Sequence, residues 1–336
     1  MKCYSFLLLF IIAFQVQAQQ SDFETINFSK ADKLALKCKN ESLKNISNLA
    51  SCLTDGLTTG VERFRAVFKW VTANISNDYS AYYRNKRKRK RYQSDSTKLN
   101  IWNDDFKKVM ISNMIKHRKT ICTGYAYLVQ QLAEASGLEC EIVHGYGRTS
   151  MTSEEDLQFP NHSWNAVKLN GKWYLADPTW ASGIPDPESN RFTFDYNDGL
   201  FLTNPKLFAV NHHPIDQKWA LLNESPSYDD FLNAPILYGN AYRKLNVIEA
   251  PLQFHHDINK NESVTFEYEL ASTLDKDALR FSIDNGIETK TVKPDSYETK
   301  DNLMTATYTF HNVGFYDVHL LLENSLISTH TVRVRR

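Results

Sequence analysis

Residues 161 to 180 read NHSWNAVKLNGKWYLADPTW, and the Asn170-Gly171 pair at their centre is the feature that most restricts the fold. A two-residue hairpin turn whose twist matches its strands needs positive φ at both central positions, and Asn-Gly is the pair that tolerates this best. With those two residues as the loop, Leu169 faces Lys172, Trp164 faces Asp177 and His162 faces Thr179. Alternate residues of a strand share a face, so His162, Trp164 and Asp177 point to one side, with the imidazole and the carboxylate as diagonal neighbours. A one-residue slip would put them on opposite faces.

A second stretch, KTICTGYAYL at 119–128, places a cysteine at the first turn of an amphipathic helix. From Cys122 the apolar positions run Ala126, Val129, Ala133 on one row and Tyr125, Leu128, Leu132 on the next, and Ser136-Gly137 ends the run. Thr120 is expected to cap the start. Unpaired backbone N–H groups and the positive end of the helix dipole then favour a thiolate at Cys122. The plainer reading is a small buried apolar cysteine. Partners decide between them. An activated thiol needs an imidazole to share its proton and a carboxylate to orient that imidazole, and the hairpin supplies both in His162 and Asp177. Taken alone, His162 reads as an ordinary strand histidine and Asp177 as a turn residue before Pro178.

The bulk numbers narrow the class. Lys2, the apolar run Phe6 to Phe14 and Val16-Gln17-Ala18 fit a secretory signal cleaved after Ala18, so the mature chain is expected to be secreted or periplasmic. Basic and acidic residues balance at 39 each, which argues against a dedicated nucleic-acid protein. No later segment is long and apolar enough to be read as a membrane span. Four cysteines follow residue 18, too few for a disulfide scaffold, with Cys38 and Cys52 close enough in sequence for a local bridge in an oxidising compartment. Cys140 reads as buried. No zinc spacing is present, and no metal or cofactor is expected.

Residues 19–60 read as a partly helical lead-in and 61–240 as the unit carrying the cysteine helix and the hairpin. Within the latter, Phe64, Val67, Phe68 and Val71 form a helical stripe over Val61 to Ile75. From about 245 the pattern changes to strand alternation in Val264, Phe266, Tyr268, Leu270 and again in Met304, Ala306, Tyr308, Phe310, which predicts a β-sandwich over 245–336. The run Arg84 to Tyr92 has seven cations in its first eight residues. It reads either as a solvated mobile insertion or as a polyanion contact through Arg84 to Arg91. Sites of N-x-S form include Asn40, Asn45, Asn74, Asn161 and Asn261.

Three motifs carry a resemblance: Cys122-Thr123-Gly124-Tyr125-Ala126, His162-Ser163-Trp164-Asn165, and Trp173-Tyr174-Leu175-Ala176-Asp177-Pro178-Thr179-Trp180. They resemble the transglutaminase-like superfamily. RAVFKWVTANI at Arg65 to Ile75 is similar to the family's preceding helix, and FLTNPKLFAVNHHP with QKWALL is similar to the tail of its secreted kyphoscoliosis-peptidase-like branch. Relatives often have glycine where Thr120 stands. The resemblance covers about 60–225 and implies an α+β, papain-like core in which a cysteine-bearing helix packs on an antiparallel sheet, followed here by the sandwich, for which Gly314 to Val318 looks immunoglobulin-like. It implies amide acyl chemistry through a thioester, with Cys122 as nucleophile, His162 as base and acid, and Asp177 orienting His162. Backbone cleavage is slightly favoured; transglutaminase transfer, deamidation and a non-catalytic binding module are the alternatives. Trp70, Trp102, Trp164, His144, Tyr146 and the His212-His213 pair are further candidates for the cleft, with core roles the plainer reading for each.

Overall fold

The computed structural model describes residues 20–186, 189, 191–273, 275 and 278–336; the expected signal segment lies outside them. Three helices come first, α1 (Ser29–Lys37), α2 (Ile46–Thr54) and α3 (Gly60–Asn74). The Cys38–Cys52 disulfide joins the end of α1 to α2. Thr59 starts α3 with a reciprocal cap: its hydroxyl accepts from the Glu62 N–H at 3.2 Å, and the Glu62 carboxylate accepts from the Thr59 N–H at 3.1 Å. Phe64, Val67, Phe68 and Val71 are buried on α3 as the spacing requires, and so is Trp70, whose indole N–H donates to the Cys38 carbonyl at 2.8 Å.

The strands β1 (Ser76–Asn77) and β2 (Lys119–Thr120) pair in parallel around two inserted helices, α4 (Tyr79–Tyr92) and α5 (Ser96–His117). The basic run is therefore a helix, which corrects its reading as a mobile loop. Asp78 caps α4 by accepting from the Ala81 N–H at 3.0 Å. Lys86 pairs with Asp156, Lys90 with Glu155, and Arg89 donates to the Pro160 carbonyl at 3.4 Å, so part of the cationic run is tied to the segment ahead of His162. Trp102 stacks on Phe106 and donates to Asn85 at 2.9 Å, in a small second core between α4 and α5.

The cysteine helix α6 (Cys122–Ala135) lies against a sheet built from β3 (Cys140–Gly147), β4 (His162–Leu169) and β5 (Lys172–Ala176). Asn165 on β4 donates to the Ala126 carbonyl of α6 at 3.0 Å, which locks helix to sheet. The hairpin register is the expected one, from Leu169 opposite Lys172 to Asn165 opposite Ala176, and Asn170 and Gly171 have φ of 50° and 82°. Then follow α7 (Pro178–Ser182), the hairpin of β6 (Gly183–Asp186) and β7 (Arg191–Phe194), α8 (Pro205–Asn211) and β8 (His212–Pro214), which completes the sheet in the order β5-β4-β3-β8. The connection to the C-terminal part holds α9 (Tyr228–Asn233), β9 (Ile236–Leu237) and α10 (Gly239–Lys244).

The remaining strands are β10 (Leu245–Ala250), β11 (His255–Asn259), β12 (Ser263–Leu270), β13 (Leu279–Asp284), β14 (Thr289–Val292), β15 (Ser296–Lys300), β16 (Leu303–Thr309), β17 (Gly314–Leu322) and β18 (Ser325–Arg335). They form two sheets, β10-β12-β16-β15 and β11-β18-β17-β13-β14. The sheets meet face to face: Phe266 packs on Phe281 with ring centres 4.9 Å apart, and His330 meets Phe266 edge-on at 5.4 Å. Strand β9 adds to β18, so a piece of the connecting segment is built into the second sheet, and one hydrophobic core runs through both parts of the chain.

Candidate active site

Cys122 opens α6. Its N-cap is Ile121 in extended backbone, with no side chain capping the helix, which corrects the expected Thr120 cap. Thr120 belongs to β2, where its hydroxyl is buried without a partner and packs on Gly124. A Cβ at Gly124 would lie 1.9 Å from the Thr120 oxygen, so only glycine lets the first turn sit this close to β2. The first amides of a helix have no carbonyl one turn back, so the Cys122 and Thr123 N–H groups point outward at the helix start.

His162 begins β4 and Asp177 follows β5, and the structure brings them together as the register predicts. His162 Nε2 lies 2.7 Å from Asp177 Oδ2, with both side chains buried. Burial works against the imidazolium, but the Asp177 carboxylate outweighs it, and a hydrogen bond with the Cys122 thiol adds to the effect; His162 is pushed up to about 10. With Nε2 committed to Asp177, Nδ1 is the ring nitrogen left for the sulfur. Burial alone would raise the Asp177 carboxyl, yet His162 and His212 hold it well below the usual carboxylate range. The Cys122 sulfur also lies 4.0 Å from the Asn161 carbonyl.

Trp180, Asn161 and Gly147 were not singled out for the site beforehand, whereas His212 was already a candidate for the cleft. Trp180 stacks on His162 with ring centres 4.7 Å apart and planes 19° off parallel, holding the imidazole in one orientation. Asn161 bridges to Gly147 twice, accepting from its N–H at 2.7 Å and donating to its carbonyl at 3.0 Å. Gly147 in turn touches the ring: a Cβ there would meet His162 carbons at 2.9 to 3.0 Å. His212 lies behind Asp177 with Nε2 3.1 Å from Oδ2. Asp177 Oδ1 accepts the Thr179 and Trp180 amides at 2.8 and 3.1 Å, which also starts α7.

Of the other candidates, Trp164 is buried 6.0 Å from the His162 ring and packs between it and Phe208. Trp70 and Trp102 are core residues away from the cleft. His144 bonds Ser163, Tyr146 packs on Tyr228, and His213 bonds Gln217; none of the three lines the cavity over Cys122. His212 and His213 face opposite ways, as neighbours on a strand must. Among the described residues, His162, Asp177 and His212 are the group whose ligand atoms lie close enough for a metal, within 4.8 Å of one another. Their spacings of 2.7 and 3.1 Å to one shared oxygen are those of hydrogen bonds, and all three are buried.

Cys122 and His162 sit in the wall of a cavity of about 540 Å³. Tyr79, Tyr82 and Tyr83 of α4 form one side, and Ile184 and Phe192 of the β6–β7 hairpin another. Leu326 of β18 reaches it as well, so the C-terminal sheets contribute to the cleft. Burial, then the nearby Cys122 group, pushes the Tyr82 phenol up. Cys140 is buried on β3 beside Asn165, and burial pushes its thiol up.

A sulfur, an imidazole and a carboxylate converge at this cleft, the set of groups that cysteine acyl-transfer chemistry requires. Residues 47–178 match the model of the transglutaminase-like superfamily, and the chain belongs to that superfamily. It is 32% identical over 219 residues to kyphoscoliosis peptidase of Mus musculus, covering 65% of this chain and 30% of the relative. Against kyphoscoliosis peptidase of Homo sapiens it is 30% identical over 247 residues, covering 72% of this chain and 34% of the relative. The chain thus spans about a third of the length of these curated relatives. A solved structure of a putative protease from Parabacteroides distasonis aligns over 88% of this chain and 52% of its own, at 10% identity and a TM-score of 0.25. Among the described residues no helix is long and apolar enough to cross a membrane.

Proposed function

We propose that this chain is an exported cysteine enzyme that acts on amide bonds of peptides or proteins. The observation that carries the reading is the 2.7 Å bond from His162 to Asp177, with the Cys122 thiol on the remaining side of the imidazole, at a cavity large enough for a peptide segment. Cys122 adds to the amide carbonyl as the thiolate, the proton of the pair resting on His162. His162, protonated over the neutral range, gives its proton to the departing nitrogen as the C–N bond breaks and a thioester forms. Water enters, His162 removes its proton, and addition to the thioester releases the acid and restores the thiolate beside protonated His162. Asp177 keeps the ring oriented and offsets its charge without being protonated itself. The Cys122 N–H is one donor to the carbonyl oxygen as it becomes an anion.

Hydrolysis is favoured over transfer to an amine, in keeping with the peptidase names of the mouse and human relatives. The Cys38–Cys52 bridge supports export, since such bonds persist in oxidising compartments. Arg84, Arg87 and Arg91 on α4 are the candidate contact for a polyanion. The test mixes the chain with a glutamine-containing peptide set and a labelled primary amine, beside Cys122→Ala. Backbone cleavage by the parent alone is the expected result. Incorporated label would mean transglutamination, ammonia without label deamidation, and no turnover of any kind a binding module.

A further inference from the structure

We propose that His212 is a positioning residue of the triad: as a neutral Nε2–H donor it fixes the Asp177 oxygen that receives His162. This rests on the reading of Cys122, His162 and Asp177 as the reacting centre. Asp177 has room for about four hydrogen bonds, and all four are made. Oδ1 takes the Thr179 and Trp180 amides at 2.8 and 3.1 Å, while Oδ2 takes His162 at 2.7 Å and His212 at 3.1 Å. The carboxylate therefore has no freedom to rotate away from His162. Removing His212 leaves Oδ2 with a single partner and a buried lone pair unsatisfied.

The ring of His212 is itself held. It stacks on Phe208 with centres 3.7 Å apart and planes 13° from parallel, and it meets Trp180 at 4.4 Å and Trp164 at 5.1 Å. Trp180 also stacks on His162, so the two imidazoles share one aromatic wall. His212 Nδ1 lies 3.1 Å from the Phe208 carbonyl, and Nε2 faces the carboxylate. Both facing atoms only accept. A doubly protonated ring would satisfy both, but burial pushes His212 down to about 4, so one proton must serve. A bond to a carboxylate is roughly twice as strong as one to a neutral carbonyl, which places the proton on Nε2. The ionisable groups bearing on this pair are His162 from β4, Asp177 itself, and the buried phenols Tyr125 of α6 and Tyr242 of α10, each of which senses the Asp177 charge. His212 adds a dipole to Asp177 and leaves the single mobile proton to Cys122 and His162.

The experiment follows iodoacetamide labelling of Cys122 against pH, read by peptide mass so that Cys140 is distinguished, in the full chain and in His212→Gln and His212→Met. Glutamine can present an N–H near the Nε2 position and methionine cannot. The expected result is an acidic limb displaced upward by about one pH unit in His212→Met, equivalent to a tenfold change, with His212→Gln close to the parent. Equal displacement in both variants, or none in His212→Met, would overturn the proposal and assign His212 to packing. Nitrogen-15 histidine spectra of the unaltered chain decide the case even if His212→Met does not fold: a neutral Nε2–H tautomer from pH 6 to 8 is expected, and an Nδ1–H tautomer overturns the proposal. If labelling in the parent chain is indifferent to His162→Ala, it is the reading of the centre that fails, and the tautomer still reports on His212 separately.

Discussion

Asp177 does three things with one side chain: it caps α7, orients His162 and fixes the sign of the charge on that ring. The third is the most testable. Without the carboxylate charge, burial, the largest influence on His162, is opposed only by the smaller contribution of the Cys122 group, and burial favours the neutral ring. Asp177→Asn should therefore bring His162 from about 10 to below its ordinary value near 6.5. It should also cost on the order of 10³- to 10⁴-fold in turnover, as the loss of a triad carboxylate does elsewhere. Histidine titration by NMR beside peptide cleavage rates checks both parts; a His162 that still holds its proton at pH 8 in this variant would assign the shift to another group. Gly124 and Gly147 are the counterparts in shape, one letting the thiol-bearing turn approach Thr120 and the other leaving space for the imidazole.

At the scale of elements, what the chain announced in advance was whatever depended on local period. The hairpin register followed from Asn170-Gly171, and with it the common face of His162 and Asp177, because a two-residue turn leaves one pairing. Helices α3 and α6 followed from wide apolar stripes. Helix α5 was not legible, because its 22 residues bury only Phe106, Met110 and Met114, a stripe too narrow to stand out among polar neighbours. Helix α4 was hidden by its composition, because its supports are distant: Glu155, Asp156 and the Pro160 carbonyl lie 65 to 71 residues along the chain from the cations they hold. His212 escaped notice as a partner of Asp177 for the same reason, being 35 residues away on a strand whose place at the sheet edge only the tertiary fold fixes.

For the whole molecule, the buried histidines dictate how stability varies with pH. His162 is raised, so its contribution is complete below the unfolded value of about 6.5 and is lost as pH climbs through about 10. Asp177 is lowered, so its contribution is present above the unfolded value of about 3.9 and fades on acidification. His212 and His330, buried as neutral rings, are pushed down to about 4 and about 3. The unfolded chain binds their protons first, and stability falls as pH drops below about 6.5. His330 lies between the sheets, bonded to the Tyr268 hydroxyl at 3.0 Å and to the Gln253 carbonyl at 3.1 Å. His330→Gln should flatten the acid side of the urea-midpoint profile by up to about 1.4 kcal/mol per pH unit. An unchanged slope between pH 4.5 and 6.5 would show that His330 is not a source of it.

Cys122 and His162 must act as a pair for any of this chemistry to occur, and alkylation of the thiol reads their coupling without a substrate. With His162 held protonated beside it, Cys122 should react with iodoacetamide at neutral pH much faster than an ordinary cysteine, and His162→Ala should lose most of that reaction. Labelling of the parent chain no faster than that of an unfolded peptide, or equally fast with and without His162, would contradict it.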